Sequence, residues 1–277
     1  MRRILAIAAC TAAITAVGAA PAQAAPNPVA ALKTQYKTGY GVKYSDTFRR
    51  GTAIFSRRTG TFQFGRAGVT ASDISSRFPL KAADMAALPE HLRAVLKPER
   101  VIKIGATAYI KGGFLATFLP GDKTWLRFPG GPAAGVPGVF GQLINPLEAT
   151  TLQRLLQKSN RVGSVYVGKI TLGELWTSSK WLQGFGAFGG PSPAQKRAAL
   201  SFKLYVNAKG LVTRIVTTTK ASTVGLTGPA VSADSRFVSW GTKVSVKPPA
   251  DGVVDRDDVD FQGLDFRRAK PVGRVAA

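Results

Sequence analysis

Residues 200–219 form the part of this chain whose structure is easiest to predict. Apolar side chains occupy every second position of residues 200–206, and a period of two places them on one face of a β-strand. Asn207–Gly210 favours a turn, and residues 211–219 return with many β-branched side chains. We therefore predict an antiparallel hairpin with one buried and one solvent-exposed face. The alternating residues are Leu200, Phe202, Leu204 and Val206.

Comparable strand patterns recur along most of the chain and are interrupted by segments rich in proline, glycine or helical spacing. We predict an α+β fold in which a long, mostly antiparallel sheet curls into a half-barrel, with two or three helices covering its concave face. The predicted strands are residues 40–48, 61–65, 69–74, 101–104, 107–111, 123–128, 162–170 and a last pair within 236–247, with turns at Arg57–Gly60 and Gly65–Gly68.

The clearest helix follows the glycine- and proline-rich loop 129–141. Asn145 is expected to cap its N-terminus, with Pro146 at the first helical position and Glu148 three residues after the cap. Apolar residues then recur at i, i+3 and i+4, which predicts one apolar stripe facing the sheet. The stripe consists of Leu152, Leu155 and Leu156.

The first 24 residues have the features of a secretory signal peptide. Arg2 and Arg3 precede an uncharged apolar segment, and Ala22–Ala24 forms an A-x-A cleavage site. Cleavage after Ala24 would give a secreted or envelope-associated protein. The residues before Cys10 resemble a lipidation box, but the apolar segment ahead of it is too short, so no lipid anchor is expected. No later segment reaches the roughly 18 apolar residues that span a bilayer.

The remaining chain divides into three parts. Residues 25–39 form a short N-terminal segment, and residues 40–249 form a single half-barrel domain. Residues 250–277 carry opposite charges in blocks, so we expect a polar tail that is disordered or loosely attached.

The charge of the chain indicates its partners. There are 38 Lys and Arg against 15 Asp and Glu, a net charge of +23 that attracts anionic membrane or wall surfaces. Arg49–Arg50 and Arg57–Arg58 could share one edge or face of the sheet, or serve as scattered cations that protect sheet edges. Export, and the lack of a recognition-helix pattern, argue against nucleic acid as a partner. We expect a monomer.

The residue types leave little room for catalysis or metal binding. With one Cys and one His, the chain cannot build a Cys/His zinc site or a disulfide framework. His91 has no predicted partner, and Glu174 has no second carboxylate. Residues 255–260 lack the glycine and distal glutamate of a calcium loop, and residues 184–189 lack the flanking strand and helix of a dinucleotide site. We predict a non-enzymatic protein with no catalytic residues, metal or cofactor.

Three segments resemble the LppX/LprG-type lipoproteins of actinobacterial cell envelopes, whose fold is similar to the LolA and LolB carriers. They are residues 163–171, the hairpin 200–219, and residues 237–249 with Trp240-Gly241 and a Val-x-Val run before two prolines. The resemblance covers roughly residues 40–249. It implies a half-open antiparallel barrel with helices over its concave side, and an apolar cavity that holds the acyl chains of a lipid or glycolipid. The chain departs from the family in having no Cys after the predicted leader.

A cavity of that kind would lie between the predicted helix and the hairpin. Alternation reports burial alone, so the residues expected to line the cavity could equally form a solid core. The apolar, glycine-rich residues 181–193 could form a flap at the cavity mouth, or could pack their aromatic rings onto the core. The cavity candidates are Leu152, Leu155, Leu156, Phe202 and Leu204, and the flap candidates are Trp181, Phe185 and Phe188.

Two functions follow from these alternatives. The first is an exported protein that binds a lipid or another amphiphile and shields its acyl chains in an apolar cavity. The second is a cationic secreted interaction protein with a filled core, which binds anionic wall polymers or lipid head groups.

Overall fold

The computed structural model describes residues 26–188 and 190–261. The predicted signal peptide, its cleavage site after Ala24 and Cys10 lie outside the described residues, as does the end of the tail from residue 262.

The described strands form one open sheet of twelve strands in the order β12-β6-β5-β4-β3-β2-β1-β11-β10-β9-β8-β7. Neighbouring strands are antiparallel except β12 and β6, which are parallel. The strands are β1 (Tyr40–Arg50), β2 (Ala53–Gly65), β3 (Gly68–Arg77), β4 (Glu99–Ile104), β5 (Thr107–Gly112), β6 (Trp125–Pro129), β7 (Ser159–Val162), β8 (Val165–Thr171), β9 (Ala199–Val206), β10 (Val212–Thr219), β11 (Val231–Lys243) and β12 (Val253–Asp255).

The helices of the described chain are short. Five single 3₁₀ turns accompany them, at Leu115–Phe118, Val136–Val139, Gly184–Phe188, Ala221–Val224 and Arg256–Asp258. The α-helices are α1 (Pro28–Thr34), α2 (Ala82–Ala86), α3 (Glu90–Val95), α4 (Ala149–Gln157), α5 (Leu172–Ser178), α6 (Lys180–Gln183) and α7 (Pro193–Lys196).

The predicted α+β class is confirmed, because helices cover one face of a large antiparallel sheet. The main core lies between α1, α4, α5 and α6 on one side and the inner faces of β1–β3 and β8–β11 on the other. The expectation of two or three helices is too low for the described chain. Most helices are too short to show a periodic stripe, and α5 and α7 owe their start to capping boxes, Thr171 with Glu174 and Ser192 with Gln195.

Strand β2 runs without interruption, so the turn predicted at Arg57–Gly60 is wrong. A side chain at Gly60 would place its Cβ 2.2 Å from the carbonyl oxygen of Asp73, so close strand packing explains this glycine. Alternation sends Arg57 to solvent and Arg58 into the core. The four arginines of the two predicted pairs therefore do not share one surface.

Strand β11 is a single element where the sequence predicted a strand pair. Residues 239–241 are bulged, because the register changes from Lys43–Val238 to Gly41–Thr242 while Ser239 and Gly241 have φ angles of 57° and 75°. The bulge directs Trp240 back over the core. Its indole donates to the carbonyl oxygen of Val212 at 3.1 Å and stacks on Phe64.

The strand predicted at residues 162–170 corresponds to β8 from Val165 onward, while its first three residues form the tip of a hairpin with β7. β7 and β8 pair through Val162 and Val165 across the two-residue turn Gly163-Ser164. Gly163 has φ +60°, and glycine adopts that conformation at little cost.

The beginning of the predicted tail is part of the fold. Val253–Asp255 add to the sheet beside β6, and Val259 is buried in a second core beneath β4–β6. Arg127 pairs with Asp255 at 2.6 Å. The sequence missed this strand because it is only three residues long and lies within charged residues.

Residues 130–148, which we call the strap, lie over β1, β2 and β10 inside the core. Ala134, Ile144 and Leu147 have no exposed surface. The strap's backbone groups are paired by buried polar side chains, since Asp46 accepts from the Gln142 amide at 3.1 Å and Arg58 donates to the Gly138 carbonyl at 3.3 Å. A loop can lie inside a core only when its backbone groups find such partners.

No helix among the described residues is long and apolar enough to cross a membrane.

Candidate functional site

An open groove of about 1000 Å³ lies between the helices and the uncovered part of the sheet. One wall is formed by the end of the strap, α4 and the junction of α5 with α6. The other wall is formed by β2, β3 and β4. This volume is at the upper end of the range of about 300 to 1,000 Å³ typical of small-molecule sites.

An apolar patch around Phe62 and Trp181 forms the floor of the groove, while polar side chains make up about half of the groove's lining. Phe62 and Trp181 meet edge to face at 5.8 Å and join the helix wall to the sheet wall. Tyr36 closes one side, where its hydroxyl donates to the Leu147 carbonyl at 2.9 Å and burial raises its pKa to about 12. The other apolar lining residues are Ala67, Val69, Ala71, Ala133, Leu147 and Ala149.

Lys103 is the cation set into this floor. Strand pairing aligns Phe62 with Ser72 and Ser72 with Lys103, so the three side chains share the inner face of the sheet. The ammonium donates to the Gly131 carbonyl, and burial lowers the pKa of Lys103. A half-buried ammonium with one neutral partner retains donors for an anion in the groove.

Glu148 is the only acidic residue among those described as lining the groove, and its oxygens are already engaged. It accepts from Ser179 Oγ at 2.6 Å, from the Trp181 amide at 2.7 Å and from Thr151 Oγ1 at 2.9 Å. Burial raises the pKa of Glu148, and these hydrogen bonds partly offset that effect. Glu148 therefore positions α6 and Trp181 against α4.

This role differs from the capping role that the sequence predicted for Glu148. Helix α4 begins at Ala149, with Glu148 itself at the cap position. Asn145 instead closes a turn by accepting from the Leu147 amide at 3.0 Å. The rule for helix starts found the right region and placed the start three residues too early, at Pro146 instead of Ala149.

The rim of the groove adds two exposed cations, Arg154 on α4 and Lys180 on α6. Together with Lys103 they outnumber the single carboxylate. An apolar floor with cations at its floor and rim suits an amphiphile that has an anionic head group.

The predicted cavity residues are elsewhere. Four of them pack in the main core, with exposures of 0% for Leu152, Leu155 and Leu204 and 2% for Phe202, and none lines the groove. Leu156 is half-buried and lines a smaller pocket of about 620 Å³ between α1 and α4. Of the two alternatives, the solid core describes this part of the structure.

Two of the three flap candidates pack their aromatic rings onto the core, which is the second alternative given above for residues 181–193. Trp181 and Phe185 are buried, with 9% and 5% of their surface exposed, and their rings meet edge to face at 5.9 Å. Trp181 still contributes one edge to the groove. Phe188 ends the 3₁₀ turn Gly184–Phe188, and its side chain is outside the described part of the structure.

Other candidates for chemistry are scattered. His91 lies in α3, and Glu174 caps α5 and pairs with Lys158 at 2.6 Å, contacts that lower the pKa of Glu174 to about 2. Within residues 26–188 and 190–261, no three His, Cys, Asp or Glu side chains lie together as a metal site.

No family model and no curated protein matches the chain. Solved structures that it is similar to include LprF from Mycobacterium bovis, with 12% identity over 81% of this chain and 96% of that chain and a TM-score of 0.38. The lipoprotein LppX from Mycobacterium tuberculosis gives 11% identity over 79% and 96%, with a TM-score of 0.36. A LolA-superfamily protein from Nitrosomonas europaea gives 8% identity over 76% and 90%, with a TM-score of 0.29.

These structures include the groups that the sequence resembles. The likeness is one of fold alone, and at TM-scores below 0.5 it carries no argument about a ligand. The functional conclusion therefore depends on the groove of this chain.

Proposed function

We propose that the protein is an exported, non-enzymatic binding protein for an amphiphile with an anionic head group. The observation that carries the proposal is the groove of about 1000 Å³, with an apolar floor that contains Lys103. Each CH₂ group moved from water onto such a floor contributes about 0.8 kcal/mol, so one acyl chain supplies enough free energy for binding. The head group would lie near Lys103, with Arg154 and Lys180 at the rim.

The proposed ligand site lies beside α4, whereas the sequence predicted a cavity between this helix and the hairpin β9–β10. A chain beneath α4 would need the space that Leu152 and Leu155 already fill. Beside α4, the groove offers an apolar patch around Phe62 and Trp181 without displacing core side chains.

Val69→Trp is expected to weaken binding of the anionic apolar probe anilinonaphthalene sulfonate at least about tenfold, because the indole would occupy the groove. Val69 is half-buried at the groove wall on β3, where a Trp is compatible with strand geometry. Probe fluorescence measures the affinity. Val238→Trp is the matched control, since Val238 is 56% exposed on β11 and does not line the groove.

The same titration tests the head group by competition. Oleate is expected to displace the probe at lower concentration than the neutral monoolein, and Lys103→Met should reduce that preference. If Val69→Trp binds the probe as the wild type does, or if neither lipid displaces it, the groove is not a ligand site and the proposal is wrong.

A further inference from the structure

At one end of the sheet, the turns that lie between β5 and β7 in the strand order carry positive charge and no acidic residue. The acidic residues of this end, Asp255, Asp257 and Asp258, lie apart at the end of β12, beyond β6. The antiparallel order places the β2–β3, β4–β5, β7–β8 and β9–β10 turns at this end, together with the start of β1 and the end of β11. The segments that form these turns and strand ends, residues 35–39, 65–68, 105–106, 163–164, 207–211 and 239–243, contain no Asp or Glu. Four exposed cations lie there, Lys37, Arg66, Lys209 and Lys243, and we call this region the cationic end.

The opposite end of the sheet has a different composition. Two of its connections, residues 78–98 and 113–124, mix acids with bases, and a third, residues 220–230, carries only Lys220. Asp84, Glu90 and Asp122 lie there among lysines and arginines. The large net charge of the protein is therefore distributed unevenly, and the cationic end presents the charge without neutralising partners.

The cationic end also carries exposed apolar surface. Val162 and Val165 flank the tight turn of the β7–β8 hairpin, and Val162 is 69% exposed. An exposed valine at a hairpin tip gains no packing free energy in the free protein. It would gain by entering the apolar part of a lipid head-group layer.

The groove extends to the same end, and we call this part of it the groove mouth. Ala67 and Gly68 of the β2–β3 turn and Gly105 of the β4–β5 turn line it. With strands about 4.8 Å apart, the groove mouth and the hairpin tip lie at opposite ends of a cationic row roughly 30 Å long.

We propose that the cationic end docks the protein on the surface of an anionic lipid bilayer, with the hairpin tip and the groove mouth at the membrane. The four cations match the negative potential of such a surface, and Val162 distinguishes a bilayer from a soluble polyanion, which offers nothing for an apolar tip. Docking does not require an occupied groove, so it goes beyond the amphiphile binding proposed above.

Co-sedimentation with vesicles tests the proposal. Negatively charged vesicles of phosphatidylcholine with about 30% phosphatidylglycerol should bind the protein. Vesicles of pure phosphatidylcholine, which carry no net charge, should not bind it. Binding should weaken as salt rises. The triple variant Lys37→Glu/Arg66→Glu/Lys209→Glu should lose roughly 100-fold in partition coefficient. The control Lys81→Glu/Lys97→Glu/Lys220→Glu changes the net charge equally at exposed sites on the opposite end and should lose less than about fivefold.

Two further variants separate the possible outcomes. Val162→Ser should weaken vesicle binding about fivefold, whereas Leu80→Ser at the opposite end should have no effect. Val69→Trp should bind vesicles as the wild type does. Loss of amphiphile binding in the groove can therefore be distinguished from loss of membrane docking. Equal losses in the two triple variants would overturn the assigned surface. Heparin binding as tight as vesicle binding, together with an unchanged Val162→Ser, would identify a soluble polyanion site instead.

Discussion

Replacing Arg58 with Met is expected to lower the free energy of unfolding by about 3 to 5 kcal/mol, the cost of leaving one partner of a buried ion pair alone. Arg58 is 1% exposed, and its Nε and Nη2 donate to Asp46 Oδ2 at 2.9 and 2.7 Å. Asp46 also accepts from Ser235 Oγ at 3.0 Å and from the Gln142 amide at 3.1 Å. The pair therefore connects β1, β2 and β11 to the strap.

Urea unfolding followed by circular dichroism measures the effect. Arg57→Met is the matched control. The Arg57 side chain is exposed, so its loss should change the free energy of unfolding by less than about 0.5 kcal/mol. The double variant Asp46→Leu/Arg58→Met should be less destabilised than the sum of the single variants, because no unpaired charge remains. Equal, small effects at Arg57 and Arg58 would contradict the buried pair.

Replacing Leu155 with Ala is expected to cost about 2 to 5 kcal/mol, because Leu155 has no exposed surface and a cavity would remain in the main core. Probe binding should stay within about twofold of the wild type once the folded fraction is accounted for. Replacing the next residue, the half-buried Leu156, with Ala should lower the free energy of unfolding by only about 1 kcal/mol.

This prediction separates the core from a ligand cavity. Residues that line a hydrated cavity leave little new empty space when truncated, whereas core residues do. If Leu155→Ala costs less than about 1 kcal/mol and also weakens probe binding, the acyl chain lies beneath α4, and the groove is not the main site.

The sequence predicts the hairpin β9–β10 and the fold class because both depend on the alternation of side chains between a core and solvent. It fails at Arg58, which the alternation places inside although the residue is charged. Its partner Asp46 is twelve positions earlier and becomes a neighbour only through the pairing of β1 with β2. Nothing in the local pattern distinguishes this arginine from the exposed Arg57.

The groove could not be predicted for a similar reason. Its walls come from β2–β4 and from residues 145–184, which meet only in the folded chain. Leu152 and Leu155 of α4 and the alternating residues of β9 are buried as predicted, whereas Leu156 is half-buried. Burial patterns do not show whether the space between two elements is filled, and here it is filled beneath α4 and open beside it.

Photolabelling with a fatty acid that carries a diazirine at the end of its chain tests the amphiphile site most directly, because it reports where the chain lies. Mass spectrometry of the digested protein should find the label within residues 67–72 and 147–150, which face each other across the groove, and excess oleate should remove it. Label confined to residues 200–206 in the core, or spread over the surface and unaffected by oleate, would contradict the account.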